Sequence, residues 1–150
     1  MTRVDFYILR DDSRSDRFGL TCRLVERIRK PAPEGAQPPR VLIYCPDARQ
    51  ARHLDRLLWS FREDSFLPHG LVGETDTALT PILISSDARP EDEHQVLINL
   101  SPSAEAPAFH GRFERLCEPL DHDPEIRQAG RKRYRYYRDN GHPLAHHEVG

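Results

Sequence analysis

The chain has 150 residues, of which 22 are basic and 24 acidic, and hydrophobic residues make up 37% of it. This length suits a single domain spanning residues 1–150, with a core of its own. No apolar run approaches the ~20 residues of a membrane helix, no cleavable signal pattern opens the chain, and three cysteines without CxxC spacing argue against structural disulfides; we therefore expect a cytoplasmic protein without a membrane partner.

Five short apolar runs, rich in β-branched and aromatic residues, predict strands buried on both faces. They cover residues 4–9, 41–45, 81–84, 96–100 and 115–120. A polar turn at residues 89–94 separates two of them and predicts a hairpin at a sheet edge. Residues 31–40 form a proline-rich loop, and residues 146–150 are expected to be a flexible tail.

Helical patterns lie between the strands. They are predicted at residues 16–29, at residues 47–60 with Asp47 as the N-cap, more weakly at residues 104–114, and from about Pro124 onward. Strands that alternate with helices predict a three-layer α/β/α domain around a mostly parallel or mixed sheet.

Phosphate-binding signatures are missing from this α/β pattern. Neither GxGxxG nor GxxxxGK[ST] occurs, and acidic residues follow the first strand where a phosphate would bind. The sequence therefore predicts no nucleotide cofactor.

Catalytic and metal-binding interpretations have weak support. Ser85 and Ser86 could pair with His69 or His94, but a chain with eight histidines offers such pairs by chance. Cys45, at the end of a strand, is more commonly a buried core residue than a nucleophile.

Three further histidines near the carboxyl end, His142, His146 and His147, have spacing that could suit a metal. They lie beside a proline in a segment that we expect to be solvated, so no metal site and no enzyme is predicted.

The strongest local feature is the segment from Arg127 to Arg138, which holds six cations, three tyrosines and no acid. On a helix, one arc of this segment presents a row of cations around an aromatic ring, while Ile126, Gly130 and Tyr137 lie on another arc that could pack inward. The residues of the row are Arg127, Arg131, Tyr134, Arg135 and Arg138. The pattern fits a solvated helix face and a surface that binds an anionic peptide or a nucleic acid about equally well. A net charge of −2 disfavours double-stranded DNA.

A second feature is the apolar cluster of Trp59, Phe66, Leu67 and Pro68 in and after the second predicted helix. The pattern fits core packing and a protein interface about equally well.

Several motifs in this order resemble one family nearly end to end: VDFYIL, LDRLLWSFREDSFLPHGL, the strand pair PILI and VLINL, and the RxxxRxRYRxYRxxGxxL pattern from Arg127 to Leu144. The family is the chi subunit of bacterial DNA polymerase III, an accessory of the clamp loader. The enlarged loop at residues 31–39 and the ending HHEVG depart from its pattern.

The resemblance implies a fold like a mononucleotide-binding domain that has lost that activity, and a non-catalytic adaptor with two partners. One partner is the acidic C-terminal tail of single-stranded DNA-binding protein, which ends in phenylalanine. The positions implied for it are Arg127, Arg131, Tyr134, Arg135 and Arg138, with Leu120 in the pocket for the phenylalanine. The other partner is the psi subunit, which links chi to the clamp loader, near Trp59, Phe66 and Pro68. The alternative is a module that binds single-stranded nucleic acid directly through the same helix, whereas the adaptor meets DNA mainly indirectly.

Overall fold

A computed structural model describes residues 2–30, 35–61, 67–87 and 95–150. Phe66, His94 and the predicted turn at residues 89–94 lie outside these ranges. The described residues form seven strands and three α-helices. In chain order they are β1 (Arg3–Leu9), α1 (Arg17–Ile28), β2 (Val41–Tyr44), α2 (Ala48–Ser60), β3 (His69–Leu71), β4 (Ile82–Ser85), β5 (Val96–Asn99), β6 (Arg115–Leu120), α3 (Pro124–Asp139) and β7 (Leu144–Val149).

The seven strands form one sheet in the order β3-β4-β2-β5-β6-β1-β7, and every pairing is parallel. Side chains alternate between its two faces, so Val41 and Ile43 of β2 join one core cluster while Leu42 joins the other. Helices α1 and α2 cover the first face, and α3 covers the second together with Phe109 and Phe113. The predicted three-layer α/β/α class is confirmed.

Acidic N-caps start the three helices. Asp47 accepts hydrogen bonds from the amides of Arg49 and Gln50, as predicted, and Asp16 accepts one from Gly19. Asp123 caps α3, whose first residue is Pro124, where a missing N–H costs nothing. Among the described residues, no helix has the length and apolar character needed to cross a membrane.

Three local predictions were wrong. Strands β4 and β5 form no hairpin, because both pair in parallel with β2 and lie on either side of it. The predicted helix at residues 104–114 is irregular apart from a short 3₁₀ turn, His110–Arg112, and Pro107 and Gly111 interrupt the segment.

The predicted flexible tail at residues 146–150 is mostly part of β7, which pairs with β1 from Leu144 to Val149. Its sequence lacks a buried-strand pattern because β7 is an edge strand with half of its side chains in solvent. The three-residue strand β3 was not predicted at all.

Candidate functional site

A pocket of about 240 Å³ lies between α3 and the edge of the sheet formed by β6, β1 and β7. We call it the α3 pocket. Its lining combines apolar and basic side chains: Phe6, Ile8, Leu120, Gly130, Arg131, Tyr134, Arg135, Arg138 and His146. Six residues were predicted to bind the acidic tail. Five of them line this pocket, and the sixth, Arg127, does not.

The floor of the α3 pocket depends on Gly130. A Cβ atom at this position would lie 2.6 Å from Cδ1 of Leu120, so the absence of a side chain lets α3 approach β6 closely. Tyr134 packs edge-on against Phe6, with ring centroids 5.2 Å apart. Together these residues make an apolar recess of the size that an aromatic or aliphatic side chain can fill.

The rim of the α3 pocket carries positive charge that the chain leaves available. Arg131 and Arg135 are exposed, and neither guanidinium group forms a hydrogen bond or ion pair with the described part of the chain. Arg138 is exposed too and pairs with the neighbouring Asp139 at 3.3 Å. Guanidinium groups offer several donors in a planar fork, which suits carboxylates.

Arg127 has a different environment, although it lies on the same arc of α3. Its Nε donates to the carbonyl of Asp121 at 2.8 Å and its Nη2 donates to the carbonyl of Leu9 at 2.9 Å. The same nitrogen lies 3.5 Å from the carboxylate of Asp11. Arg127 thus ties α3 to the ends of β6 and β1, and its charge is partly neutralised.

A buried polar cluster beneath α3 was missed by the sequence reasoning. Glu118 is 0% exposed, and its carboxylate accepts hydrogen bonds from Arg133 Nε (3.1 Å), Asn99 Nδ2 (3.1 Å) and Tyr137 Oη (2.7 Å). Arg133 also donates to the carbonyl of Ser103. Burial, together with the charge of Glu118, raises the pKa of Tyr137 above its ordinary value. The available signal was Glu118 lying between apolar residues in β6.

Trp59 is 55% exposed, so it lies at the surface rather than in the core. Its ring packs on buried His69, with centroids 4.6 Å apart. His69 contacts the backbone carbonyl of Leu67 and both the backbone carbonyl and the side-chain carboxylate of Asp55. These contacts hold the imidazole ring beneath Trp59. Pro68 is exposed nearby in the chain. We call Trp59 and Pro68 the Trp59 surface; Phe66 lies outside the described residues.

Three of the groups considered for catalysis, Cys45, Ser85 and His69, are buried and have other contacts. Burial raises the pKa of the Cys45 thiol to about 11, so it is protonated at neutral pH. Ser85 donates to the carbonyl of Asp87, and His69 contacts Leu67 and Asp55 rather than a serine.

The histidines considered as metal ligands face in different directions. His146 lines the α3 pocket, whereas the next residue, His147, stacks on Tyr7 and donates to Asp5 on the other face of the sheet. In residues 2–30, 35–61, 67–87 and 95–150, no group of three or more His, Cys, Asp or Glu side chains could hold a metal ion.

The fold and the site define a class: an α/β protein with an exposed pocket that is apolar at its floor and basic at its rim. Solved structures with the same kind of fold include the C-terminal domain of S. cerevisiae Dbp5 bound to Gle1 and IP6, with a TM-score of 0.59 and 13% identity over 99% of this chain and 89% of that one. S. cerevisiae Dbp5 bound to RNA and ADP BeF3 gives a TM-score of 0.57 and 13% identity over 99% of this chain and 41% of that one. At such identity the likeness concerns the fold alone.

Sequence comparison identifies the family. The profile described as "DNA polymerase III chi subunit, HolC" matches residues 1–145. DNA polymerase III subunit chi of Pseudomonas aeruginosa is 38% identical over 149 residues, covering 99% of this chain and 98% of its own. The Escherichia coli subunit is 32% identical over 145 residues, covering 96% of both chains, and that of Haemophilus influenzae is 31% identical, covering 98% of this chain and 97% of its own.

The chain therefore belongs to the chi subunit family of DNA polymerase III, and the resemblance noted in the sequence is confirmed. Chi is a replication accessory subunit and not a catalytic subunit of the holoenzyme.

Proposed function

We propose that this chi subunit is an adaptor at the replication fork, in the cytoplasm, that connects the clamp loader with single-stranded DNA-binding protein. It does so by binding the acidic C-terminal tail of that protein in the α3 pocket. The observation that carries this proposal is an apolar recess bordered by the arginines Arg131 and Arg135, which have no partner in the described part of the chain.

The chemistry of the α3 pocket fits a peptide that ends in an aromatic residue. The terminal ring enters the recess between Leu120 and Tyr134, where it is removed from water. Arg131 forks onto the terminal carboxylate, and Arg135 meets an acidic side chain that precedes it. A nucleic acid backbone would use the arginines but leave the apolar floor without a partner, so the peptide is favoured over bare single-stranded DNA.

The positions of the two surfaces support the adaptor role. The α3 pocket is on the face covered by α3, at the β7 edge of the sheet, whereas the Trp59 surface is on α2, next to β3 at the opposite edge. We propose that the Trp59 surface, with Phe66, contacts psi and through it the clamp loader. Partners on opposite edges can bind at the same time without competing.

Replacing Arg131 with alanine tests the tail-binding function. In calorimetry with a synthetic tail peptide, Arg131→Ala should weaken binding by at least ~1.5 kcal/mol, because a charge-assisted hydrogen bond is lost. Arg49→Ala is the matched control, since Arg49 is an exposed arginine on α2, on the other face of the sheet. Unchanged affinity in Arg131→Ala refutes the site.

The salt dependence of peptide binding and the affinity for single-stranded DNA provide two further tests. Affinity for the peptide should fall as salt rises, because the ion pairs are partly exposed. A gel-shift with bare single-stranded DNA separates the alternative: tight DNA binding that Arg131→Ala removes, with no peptide binding, would make this a nucleic-acid module.

A further inference from the structure

A separate pocket of about 380 Å³ lies on the face of the sheet that α1 covers, beside the edge strand β7. We call it the Arg27 pocket. Neighbouring residues of β7 point to opposite sides of the sheet, so His146 lines the α3 pocket while His147 lines this one. The two pockets therefore have no lining residue in common. The Arg27 pocket is lined from α1, β1, β6 and β7 by Leu24, Arg27, Ile28, Tyr7, Arg115, His147 and Val149.

The Arg27 pocket has two guanidinium groups with free donors. Arg27 is exposed in the last turn of α1, and its guanidinium forms no hydrogen bond or ion pair with the described residues. Arg115 donates from Nε to Asp5 at 3.0 Å and from Nη2 to Tyr7 Oη, which leaves its Nη1 without a partner in the described part of the chain. None of the described residues that line the pocket is acidic.

The buried carboxylate of Asp5 neutralises only part of this positive charge. Only 6% of its side chain is exposed, and it accepts hydrogen bonds from Arg3, Arg115 and His147. One carboxylate thus serves two guanidinium groups and an imidazole, and Arg27 adds a further guanidinium. The pocket therefore keeps a net positive charge that an anion from solution can balance.

Arg27 and Arg115 come from different elements but act on one point. Burial raises the pKa of Tyr7, and the positive charges of Arg115 and Arg27 both act against that rise because they lie near its hydroxyl. Two guanidinium groups that approach one point from α1 and β6 can each hold an oxygen of the same anion. A phosphate group suits them better than a carboxylate, because it has three terminal oxygens and about two negative charges.

The rest of the Arg27 pocket is aliphatic or aromatic. Leu24, Ile28 and Val149 supply the aliphatic side chains. Tyr7 and His147 are stacked, with ring centroids 4.8 Å apart. A free phosphate ion would leave these side chains without a contact. An apolar or aromatic group esterified to the phosphate would cover them and remove their surface from water.

We propose that the Arg27 pocket binds a small phosphate monoester, with the phosphate between Arg27 and Arg115 and the ester group against the aliphatic side chains of α1 and β7. This site is independent of the proposed tail binding, because the two pockets lie on opposite faces of the sheet. A volume of about 380 Å³ is at the low end for small-molecule sites, so the ligand class is a compound with a single ring.

Phenyl phosphate is the probe for this site, and inorganic phosphate is the comparison. Each is titrated into the isotope-labelled full chain while the amide chemical shifts are followed. We expect saturable shifts at residues 24–28 and 147–149, with phenyl phosphate binding more tightly because its ring covers the aliphatic side chains. Equal affinity of the two probes, or no saturation below about 10 mM at these residues, overturns the inference. Shifts confined to α3 also overturn it, because they place the probe in the α3 pocket.

Two exposed arginines give matched variants, one for each pocket. Arg27→Ala should weaken phenyl phosphate about threefold to tenfold, read from the shifts at residues 147–149, since a charge-assisted contact is lost. Arg131→Ala should leave the same shifts unchanged. Arg27 has no side-chain partner in the described part of the chain, so its removal should leave the fold intact, which unshifted amide signals elsewhere verify. Unchanged affinity in Arg27→Ala, or equal losses in the two variants, contradicts the proposed site.

Discussion

Glu118 shows how a single residue places the rest of the site. Its carboxylate has no contact with solvent, yet three donors from α3 and β5 converge on it: Arg133, Tyr137 and Asn99. Two of these donors lie on the inward arc of α3. The cluster therefore fixes the rotation of α3 about its axis, which turns Arg131 and Tyr134 toward the α3 pocket.

Removal of Glu118 should be costly, because it leaves the guanidinium of Arg133 buried without a counter-charge. We expect Glu118→Ala to lower the free energy of unfolding by about 3–5 kcal/mol. Glu114 is an exposed acid just before β6, and Glu114→Ala should stay within about 0.5 kcal/mol of wild type. Urea denaturation of the two variants checks this, and similar losses in both would show that the buried cluster is energetically unimportant.

At the residue scale, periodicity was enough to predict that Arg131, Tyr134 and Arg135 share one face of α3, since residues three and four apart are neighbours on a helix. The same periodicity left Arg133 out of that row, but it did not predict that a buried carboxylate would pair with it. The partner is Glu118, fifteen residues away, and helical spacing contains no information about a partner on a strand. Arg127 was placed on the correct arc, but the carbonyls that engage it belong to other elements.

At the scale of one element, β7 shows how a segment without a buried-strand pattern joins the sheet through side-chain contacts. Its His147 stacks on Tyr7 with ring centroids 4.8 Å apart and donates to Asp5 at 3.2 Å. Asp5 also accepts from Arg115 and Arg3. Burial opposes ionisation of Asp5, but the hydrogen bonds from His147 and Arg115 and the nearby positive charges outweigh it, so the pKa of Asp5 is lowered.

The lowered pKa of Asp5 predicts a pH-dependent contribution to stability. The unfolded chain binds this proton more readily than the folded one, so the contribution is complete above the ordinary carboxyl pKa of 3.8 and is lost as pH falls through the lower folded value. The stability difference between wild type and Asp5→Asn should thus be largest near pH 7 and shrink below about pH 4.

Urea titrations of Asp5→Asn at pH 7, 5 and 3 measure this difference. Asp12→Asn serves as a control, because Asp12 is an exposed loop acid. A gap between wild type and Asp5→Asn that stays constant or widens in acid would contradict the assigned role of Asp5.

Elements with strong apolar content were predictable, and weakly patterned ones were not. The central strands β2, β4 and β5 are apolar because both of their faces are covered. β3 and β7 are the two edges, where one hydrogen-bonding side has no neighbouring strand in the described part of the chain and burial is incomplete. The segment around Phe109 and Phe113 had helix-like apolar spacing, but these rings cover the sheet from an irregular chain.

At the scale of the whole molecule, alternation of strands and helices was sufficient to predict a three-layer fold. The strand order was not predictable, because it depends on which crossovers pack best and leaves no periodic trace in the sequence. That order matters for the proposed function, since it sends β3 and β7 to opposite edges and separates the Trp59 surface from the α3 pocket.

This separation predicts that the two partner surfaces act independently. Trp59→Ala should weaken association with the clamp-loader side, because a large exposed aromatic is removed, and it should leave affinity for the tail peptide unchanged. Arg131→Ala should do the reverse. Pull-down with clamp-loader components, together with peptide calorimetry, measures both; a Trp59→Ala variant that loses the peptide but keeps the clamp loader would contradict the arrangement.

A crystal structure of this chain with the tail peptide tests the central claim most directly. The account predicts the terminal aromatic side chain between Leu120 and Tyr134, with its carboxylate within hydrogen-bonding distance of Arg131. A peptide seated on the Trp59 surface, or one whose terminal ring stays outside the α3 pocket, would contradict it.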